Sequence, residues 1–195
     1  MDELYKYRLN RLRTFCQKRF PKELGDEHGP SHWDRVAMFG HFIATDETDL
    51  EVVDAFALLH DVERKDNDLD PLHGDRSAAL VETIRDSHLA YLNDVQIEML
   101  KMACMLHNNT VRTSDNTVNT CFDADRLDLP RAGIRPDPAR MATENGIKMV
   151  SGAWSEARHH PLDENACKVP KNEEKTYKVH LALFLNHINF YLIKL

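Results

Sequence analysis

Apolar residues recur along most of this chain at intervals of three and four positions, which places them on one face of an α-helix. In the first such stretch Tyr5, Leu9, Leu12 and Cys16 share a face, and Pro21 is expected to end the helix. No convincing run alternates apolar and polar residues as a β-strand would. The pattern therefore predicts an all-α protein.

Further helices are predicted between residues 31 and 130. Ser31, with Asp34 three residues later, has the spacing of a capping box and is expected to open a helix that runs through Ile43. Asp49 is expected to cap the next helix, which is apolar nearly all round and therefore central. The remaining helices are predicted at about 74–86, 94–107 and 120–129, with Pro130 ending the last one.

The part of the chain beyond residue 130 shows a different pattern. Residues 130–176 are rich in proline and charge, which predicts loops around one or two short helices rather than a separate core. Residues 177–195 are apolar but contain lysine, histidine and asparagine, so they are expected to form a helix of the core. We predict one helical domain over residues 1–195, with its motif-bearing core at about 28–130.

Composition and charge narrow the function. Hydrophobic residues make up 42% of the chain and charged residues 29%, as in a globular protein. The formal charge of −7 argues against a groove for a long nucleic acid. The four cysteines form no CxxC pair, and no uncharged run is long enough to span a membrane. A cytoplasmic protein is expected, with a homodimer left open.

Several histidines and aspartates lie at or just beyond the predicted helix ends. Each alone has an ordinary explanation, because a lone histidine is more often hydrogen-bonded or exposed than a ligand. Together these residues indicate a functional site. They are His32, His60, Asp61, His73, His107, Asp123 and Asp125. The other histidines are predicted to be ordinary side chains, and they are His28, His41, His88, His159, His160, His180 and His187.

The pair His60-Asp61 is the strongest of these signals. It directly follows the apolar run 56–59 of the central helix, so it does not belong to a solvated face. Burying an unpaired carboxylate costs several kcal/mol, so Asp61 requires a cation or strong donors nearby. Neutral imidazoles together with carboxylates suit Mn, Fe, Co, Ni or Zn. Because adjacent helical residues point about 100° apart, other helices must supply further ligands.

These residues resemble the pattern of the HD-domain superfamily of metal-dependent phosphohydrolases. Its H…HD…D signature recurs as His32, His60-Asp61 and Asp125, the last within "DADRLDL". The flanking segments are similar too, with "HGPSHWDRV" around His32, "ALLHDV" before the pair and "HGDRSAALV" after it. The resemblance covers about residues 28–130. No HExxH, Walker A, GxSxG or glycine-rich dinucleotide motif competes with it.

The resemblance implies a helical bundle of the HD-domain type in which His32, His60, Asp61 and Asp125 hold one divalent ion. Asp125 is preferred to Asp123 because it precedes "RL", as the ligand of the family does. Asp123 would then support the site or cap a helix, and the alternative that it is the ligand stays open.

A second ion is implied by two further histidines. His73 in "PLHGD" and His107 in "MLHNN" resemble the additional ligands of dinuclear superfamily members, with Asp61 bridging the ions. For His107 the alternative is a helix C-terminal histidine that bonds free carbonyls. One ion is expected and two are the alternative, chosen from Mn, Fe, Co, Ni, Zn and Mg.

The implied activity is hydrolysis of a nucleotide or another small phosphate ester by metal-activated water, with Asp61 at the centre. Arg126 is the favoured phosphate contact. Glu63 is a candidate acid or base, although similar nucleotidases carry their acidic helper one residue further on. Other basic residues next to the motifs are also candidates for phosphate contacts, namely Arg35, Arg64, Lys65 and Arg76.

Two other functions fit the same motif residues. A diiron oxygenase, as in rare superfamily members, would use six ligands and a redox-active iron pair. A non-catalytic metal-bound sensor or interaction domain would keep the ligands without turnover. The expected partner under the leading hypothesis is a small phosphorylated molecule, with neither long nucleic acid nor membrane.

Overall fold

The structure is a computed structural model that describes residues 3–25 and 27–157, with side chains described as far as residue 150. This part of the chain contains α-helices and three short 3₁₀ turns but no strand. The helices are α1 (Glu3–Arg19), α2 (Pro30–Ile43), α3 (Leu50–Leu59), α4 (His73–Ile84), α5 (Asp94–Leu106), α6 (Asn116–Leu127) and α7 (Glu144–Ala157). The all-α prediction is confirmed.

The helix starts show where the capping predictions succeeded and failed. Asp49 caps α3 by accepting from the amides of Glu51 and Val52, as predicted. The capping box predicted at Ser31 is wrong, because α2 already begins at Pro30, whose fixed φ suits the first helical position. Helix α6 begins four residues before its predicted start, because Asp115 accepts from the amide of Val118 and caps it there.

Helix α3 is the centre of the bundle. Every residue from Val52 to Leu59 is buried, which fits the nearly all-apolar sequence of this helix. It packs against α1, α2, α5 and α6. Because α3 is enclosed by other helices, the residues at its C-terminal end are held in the interior of the protein.

Two polar side chains attach α1 and α2 to α3. The carboxylate of Asp54 on α3 accepts from the hydroxyl of Tyr5 on α1. It also lies 2.7 Å from Nε2 of His41 on α2. Asp54 is only 5% exposed, so these two partners compensate a buried charge.

The segment after α6 contains two 3₁₀ turns, Leu129–Ala132 and Pro138–Arg140, and then α7. Helix α7 packs on α6 and has 14 residues, so it is longer than the short helices predicted for this region. The predicted core helix at 177–195 lies outside the described residues. Among the helices described, none has both the length and the apolar composition of a membrane span.

The contact between His41 and Asp54 predicts a pH dependence of stability. Burial acts to lower the pKa of His41, but the hydrogen bond with Asp54 and the negative charge of Asp54 together outweigh it and raise that pKa. The folded state therefore binds the proton more tightly than the unfolded state. This stabilisation is full below the unfolded pKa of about 6.5 and is lost as pH rises through the folded pKa. The difference in unfolding free energy between wild type and His41→Gln should be larger at about pH 6 than at about pH 9.

Urea denaturation of both proteins across this range measures the difference. His88→Gln is the matched control, because burial and Arg11 lower the pKa of His88 and the sign is reversed. A difference for His41→Gln that does not change with pH would contradict the charged contact.

Candidate metal centre

The C-terminal end of α3 directs His60 into the bundle. Its Nδ1 lies 3.1 Å from the carbonyl oxygen of Phe56, one turn earlier. The ring of Phe56 stacks on the imidazole with the centroids 4.8 Å apart. Ser77 on α4 donates to the carbonyl oxygen of His60 at 2.9 Å. These contacts fix the ring and leave Nε2 facing the interior.

A first group of ligand atoms lies around this Nε2. Nε2 of His32, from the first turn of α2, is 3.0 Å away from it. Oδ2 of Asp61 is 3.5 Å from Nε2 of His60 and 3.7 Å from Nε2 of His32. Oδ1 of Asp125, from α6, is 3.4 Å from Nε2 of His32 and 3.8 Å from Nε2 of His60. The structure thus brings together the four residues of the HD pattern.

A second group lies on the other side of Asp61. Nε2 of His73, at the start of α4, is 3.1 Å from Oδ1 of Asp61. Nε2 of His107, at the end of α5, is 3.9 Å from the same oxygen. The two histidine Nε2 atoms are 3.0 Å apart. Asp61 therefore presents one oxygen to each histidine pair.

The hydrogen bonds of the four rings determine which nitrogen is free. Each Nδ1 lies next to an acceptor oxygen: Asp128 for His32, Phe56 for His60, Asp70 for His73 and Cys104 for His107. A neutral imidazole that donates from Nδ1 has a lone pair on Nε2. In His73 the amide nitrogen of Asn108 lies 2.7 Å from this Nε2 and can donate to it. The capping contact considered for His107 is therefore present, and it leaves Nε2 available as a ligand.

This arrangement fits a bound cation. Two lone pairs that face each other across 3.0 Å cannot bond to one another. Two imidazoles on one ion, with bonds of about 2.0–2.1 Å, have their nitrogens about 3 Å apart. In addition, Oδ1 of Asp61 is fully buried and has no hydrogen-bond partner among the described residues. Two sets of buried residues could each hold an ion: His32, His60 and Asp61, and Asp61, His73 and His107.

The protonation states of His60, His107 and Asp125 also suit a metal. For His32, by contrast, burial acts to lower the pKa, but the hydrogen bonds with Asp125 and Asp128 raise it. Burial lowers the pKa of His60 to about 3, and burial likewise lowers the pKa of His107. Burial opposes ionisation of Asp125, but its hydrogen bond with His32 and the nearby His60 hold the pKa of the carboxyl below its ordinary value. Neutral imidazoles and ionised carboxylates are the forms that bind divalent metals.

The carboxylates of Asp123 and Asp125 have different partners. Its carboxylate accepts from the amides of Ala142 and Thr143, each at 2.7 Å, and from the hydroxyl of Thr143 at 2.8 Å. Asp123 therefore binds the segment that leads into α7 to helix α6. Asp125, two residues later, points instead toward His32 and His60.

Two residues with predicted catalytic roles have protein partners in the structure. The guanidinium of Arg126 donates to four backbone carbonyl oxygens, those of His107, Thr110, Val111 and Arg140. These bonds use its terminal nitrogens to join α6 to the neighbouring loops, and they give no support to the predicted phosphate contact. The carboxylate of Glu63 pairs with Arg19 on α1, which draws it away from the role of acid or base.

The sequence reasoning missed three residues that contact the ligands, and the third is Asn108, whose amide nitrogen lies 2.7 Å from Nε2 of His73. Asp128 accepts from Nδ1 of His32 at 2.7 Å and is itself bonded by Arg35. Its position three residues after Asp125 was the available signal, because residues i and i+3 share a helix face. His28, assigned as an ordinary histidine, lies with Nδ1 2.8 Å from Oδ2 of Asp61. It precedes α2, where helical periodicity gives no signal.

The ligand side chains of the centre are nearly closed to solvent. Among the side chains that contact the ligands or belong to them, Asn108 is exposed, Asp125 is 16% exposed, and Arg64 and His28 are each 10% exposed. The Nη1 atom of Arg64 lies 3.5 Å from Oδ1 of Asp61. These residues mark the side on which a small molecule could reach the ligands.

One solved structure shares this architecture. It is a predicted HD superfamily hydrolase from an uncultured Thermotogales bacterium, with a TM-score of 0.62 and 23% sequence identity. The match covers 77% of this chain and 87% of that one. The chain has the HD-superfamily fold. No family model and no curated protein matches the sequence.

Gly74 allows the second histidine pair of this HD-type fold to form. A Cβ at this position would lie 2.5 Å from the carbonyl oxygen of Cys104 and 3.2 Å from that of Met105. These are backbone atoms at the end of α5, so they cannot rotate away. The missing side chain lets the start of α4, with His73, approach the end of α5, with His107.

We therefore expect Gly74→Ala to separate α4 from α5. The variant should lose about 1–3 kcal/mol of stability, the usual cost of overpacking. It should also bind metal more weakly at Asp61, His73 and His107. Manganese titration of the folded protein measures this loss.

Gly40→Ala is the matched control. Its Cβ would meet Cγ1 of Val53 at 2.4 Å, but this is a side-chain atom that can move. Gly40→Ala should reduce stability and leave the number of bound ions unchanged. Equal metal binding by Gly74→Ala and wild type would contradict the spacing argument.

Proposed function

We propose that this protein is a metal-dependent phosphohydrolase that acts on a nucleotide or another small phosphate ester. The observation that carries the proposal is the pair of buried ligand groups sharing Asp61. His32, His60, Asp61 and Asp125 would hold one divalent ion. His73 and His107, with the second oxygen of Asp61, would hold another.

A divalent ion in this site would polarise phosphoryl oxygens and lower the pKa of a bound water toward 7. The protein's own residues hold the ligands in position for this chemistry. Asp128 fixes the tautomer and the orientation of His32. The carbonyl oxygens of Phe56 and Cys104 do the same for His60 and His107.

The charge of the centre favours an anionic substrate. Asp61 and Asp125 are the carboxylates of the two ligand groups, and together they carry −2. Two divalent ions would therefore leave about +2 on the site, whereas one ion would leave it nearly neutral. A phosphate group complements the positive surplus, and buried electrostatic interactions are weakly screened.

Arg64 is the cation best placed to contact a phosphate. Its Nε and Nη2 donate to the carbonyl oxygens of Asp66 and Asp68, and these bonds fix the guanidinium. Its Nη1 faces Asp61 and the ring of His73. A guanidinium offers several fixed donors, which suits the oxygens of a phosphate. The narrow exposure of the centre supports a small substrate rather than a polymer.

The decisive experiment is a screen of nucleotides and small phosphate esters with added Mn, Co, Ni or Mg. We expect release of inorganic phosphate that depends on the metal and stops with a chelator. Asp125→Asn should lower both metal content and activity. The loss of activity should exceed the roughly 10–100-fold that follows loss of a ligand's hydrogen-bond partner.

Asp123→Asn is the matched control, with the same chemical change two residues away. It should lose about 1–3 kcal/mol of stability, because one buried acceptor oxygen is replaced by an amide nitrogen that cannot accept, and it should retain its metal. If no phosphate ester is hydrolysed with any metal and oxygen is consumed with iron, the oxygenase replaces this proposal. If metal binds without any turnover, the sensor replaces it.

A second prediction tests the phosphate contact. Arg64→Gln should raise KM for the phosphate ester by roughly 10-fold or more, because a charged hydrogen bond contributes about 1.5–3 kcal/mol. Lys65→Gln removes the same charge from the next residue, which is exposed, and should change KM little. Steady-state kinetics on the substrate found in the screen compare the two. Equal KM values for both variants would argue against Arg64.

A further inference from the structure

We propose that His28 is a positioning residue that makes Asp61 bridge two metal ions. This proposal rests on the dinuclear centre of the proposed function. It assigns a role to a histidine that lies outside both ligand groups. His28 precedes α2, four residues before His32. Its ring donates to the carboxylate on which both ligand groups depend.

The contact is well defined. Nδ1 of His28 lies 2.8 Å from Oδ2 of Asp61, and both residues are buried. A carboxylate oxygen is an acceptor, so Nδ1 must carry the proton. The backbone of His28 is also held, because Nε1 of Trp33 donates to its carbonyl oxygen at 2.9 Å. Trp33 is itself fully buried, so the position of His28 is fixed by the core.

The hydrogen bond distinguishes the two oxygens of Asp61. Oδ2 accepts from His28 and faces the first group, whereas Oδ1 has no hydrogen-bond partner among the described residues. A carboxylate can rotate about its Cβ–Cγ bond with little resistance, since this torsion is broad. One donor on Oδ2 fixes that rotation. Oδ1 is then held toward His73 and His107, where it can serve a second ion.

The two groups do not depend on Asp61 equally. The first group has a second carboxylate, Asp125, together with His32 and His60. The second group has only Oδ1 of Asp61 as its charged ligand, beside His73 and His107. Loss of the rotation constraint should therefore weaken the second ion more than the first.

Two substitutions separate the donor from the rest of the ring. In His28→Asn, the amide nitrogen is attached to Cγ and takes the place of Nδ1. In His28→Gln, the amide lies one bond further out, near the place of Nε2. His28→Asn should keep the donor to Asp61, and His28→Gln should lose it. His28→Ala provides a second variant without the donor.

The experiment is a manganese titration of chelator-treated protein, with free Mn²⁺ counted by electron paramagnetic resonance. Wild type should bind two equivalents and show the exchange-coupled signal of a bridged pair. His28→Gln and His28→Ala should bind the second equivalent about 10–100-fold more weakly and lose that signal, while the first equivalent is retained. His28→Asn should restore both. His88→Gln, a change of the same kind remote from the centre, should behave as wild type.

The outcomes distinguish this inference from the proposed function. If His28→Gln and His28→Ala bind two coupled ions as wild type does, His28 does not position the bridge, whether or not phosphate esters are hydrolysed. If His28→Asn is as defective as His28→Gln, the Nδ1 donor is not the cause. If wild type binds one ion and still releases phosphate, the bridge is overturned and the phosphohydrolase stands. Circular dichroism establishes that all variants compared are folded.

Discussion

A buried carboxylate between two pairs of histidines is the constraint on which the rest of the structure depends. Asp61 is 2% exposed, and one of its oxygens has no hydrogen-bond partner in the described part of the chain. Burying a charge costs several kcal/mol, which His28 and Arg64 offset in part, and the facing lone pairs of the imidazoles add repulsion. A divalent cation would lower both costs. The centre could thus hold an ion.

The ends of four helices meet around Asp61 and place the histidines there. His32 and His73 lie in the first turns of α2 and α4, and His60 and His107 directly follow α3 and α5. Helix C-termini carry carbonyl oxygens without intrahelical partners. For His60 and His107 such carbonyls bind Nδ1 and thereby direct the Nε2 lone pair inward. The free carbonyl oxygens at the end of a helix therefore also orient a histidine so that its Nε2 can act as a ligand.

Residues around the centre orient its ligands and hold the neighbouring helices and loops in place. Asp128 orients His32, Gly74 lets α4 approach α5, and Arg126 joins α6 to the loops beside it. None of these three offers an atom to the ligand groups. The fold shared with a predicted HD superfamily hydrolase shows that this arrangement of helices is used elsewhere.

The sequence by itself determined the helical class, the central position of α3 and the residues of the HD pattern, because periodicity and adjacent motifs are local properties. Tertiary structure alone decided that Arg126 binds carbonyl oxygens, that Glu63 pairs with Arg19 and that His28 reaches Asp61. These partners lie 14 to 44 residues apart along the chain. The partner of a charged side chain is set by which helices pack together, and that packing is a property of the whole fold.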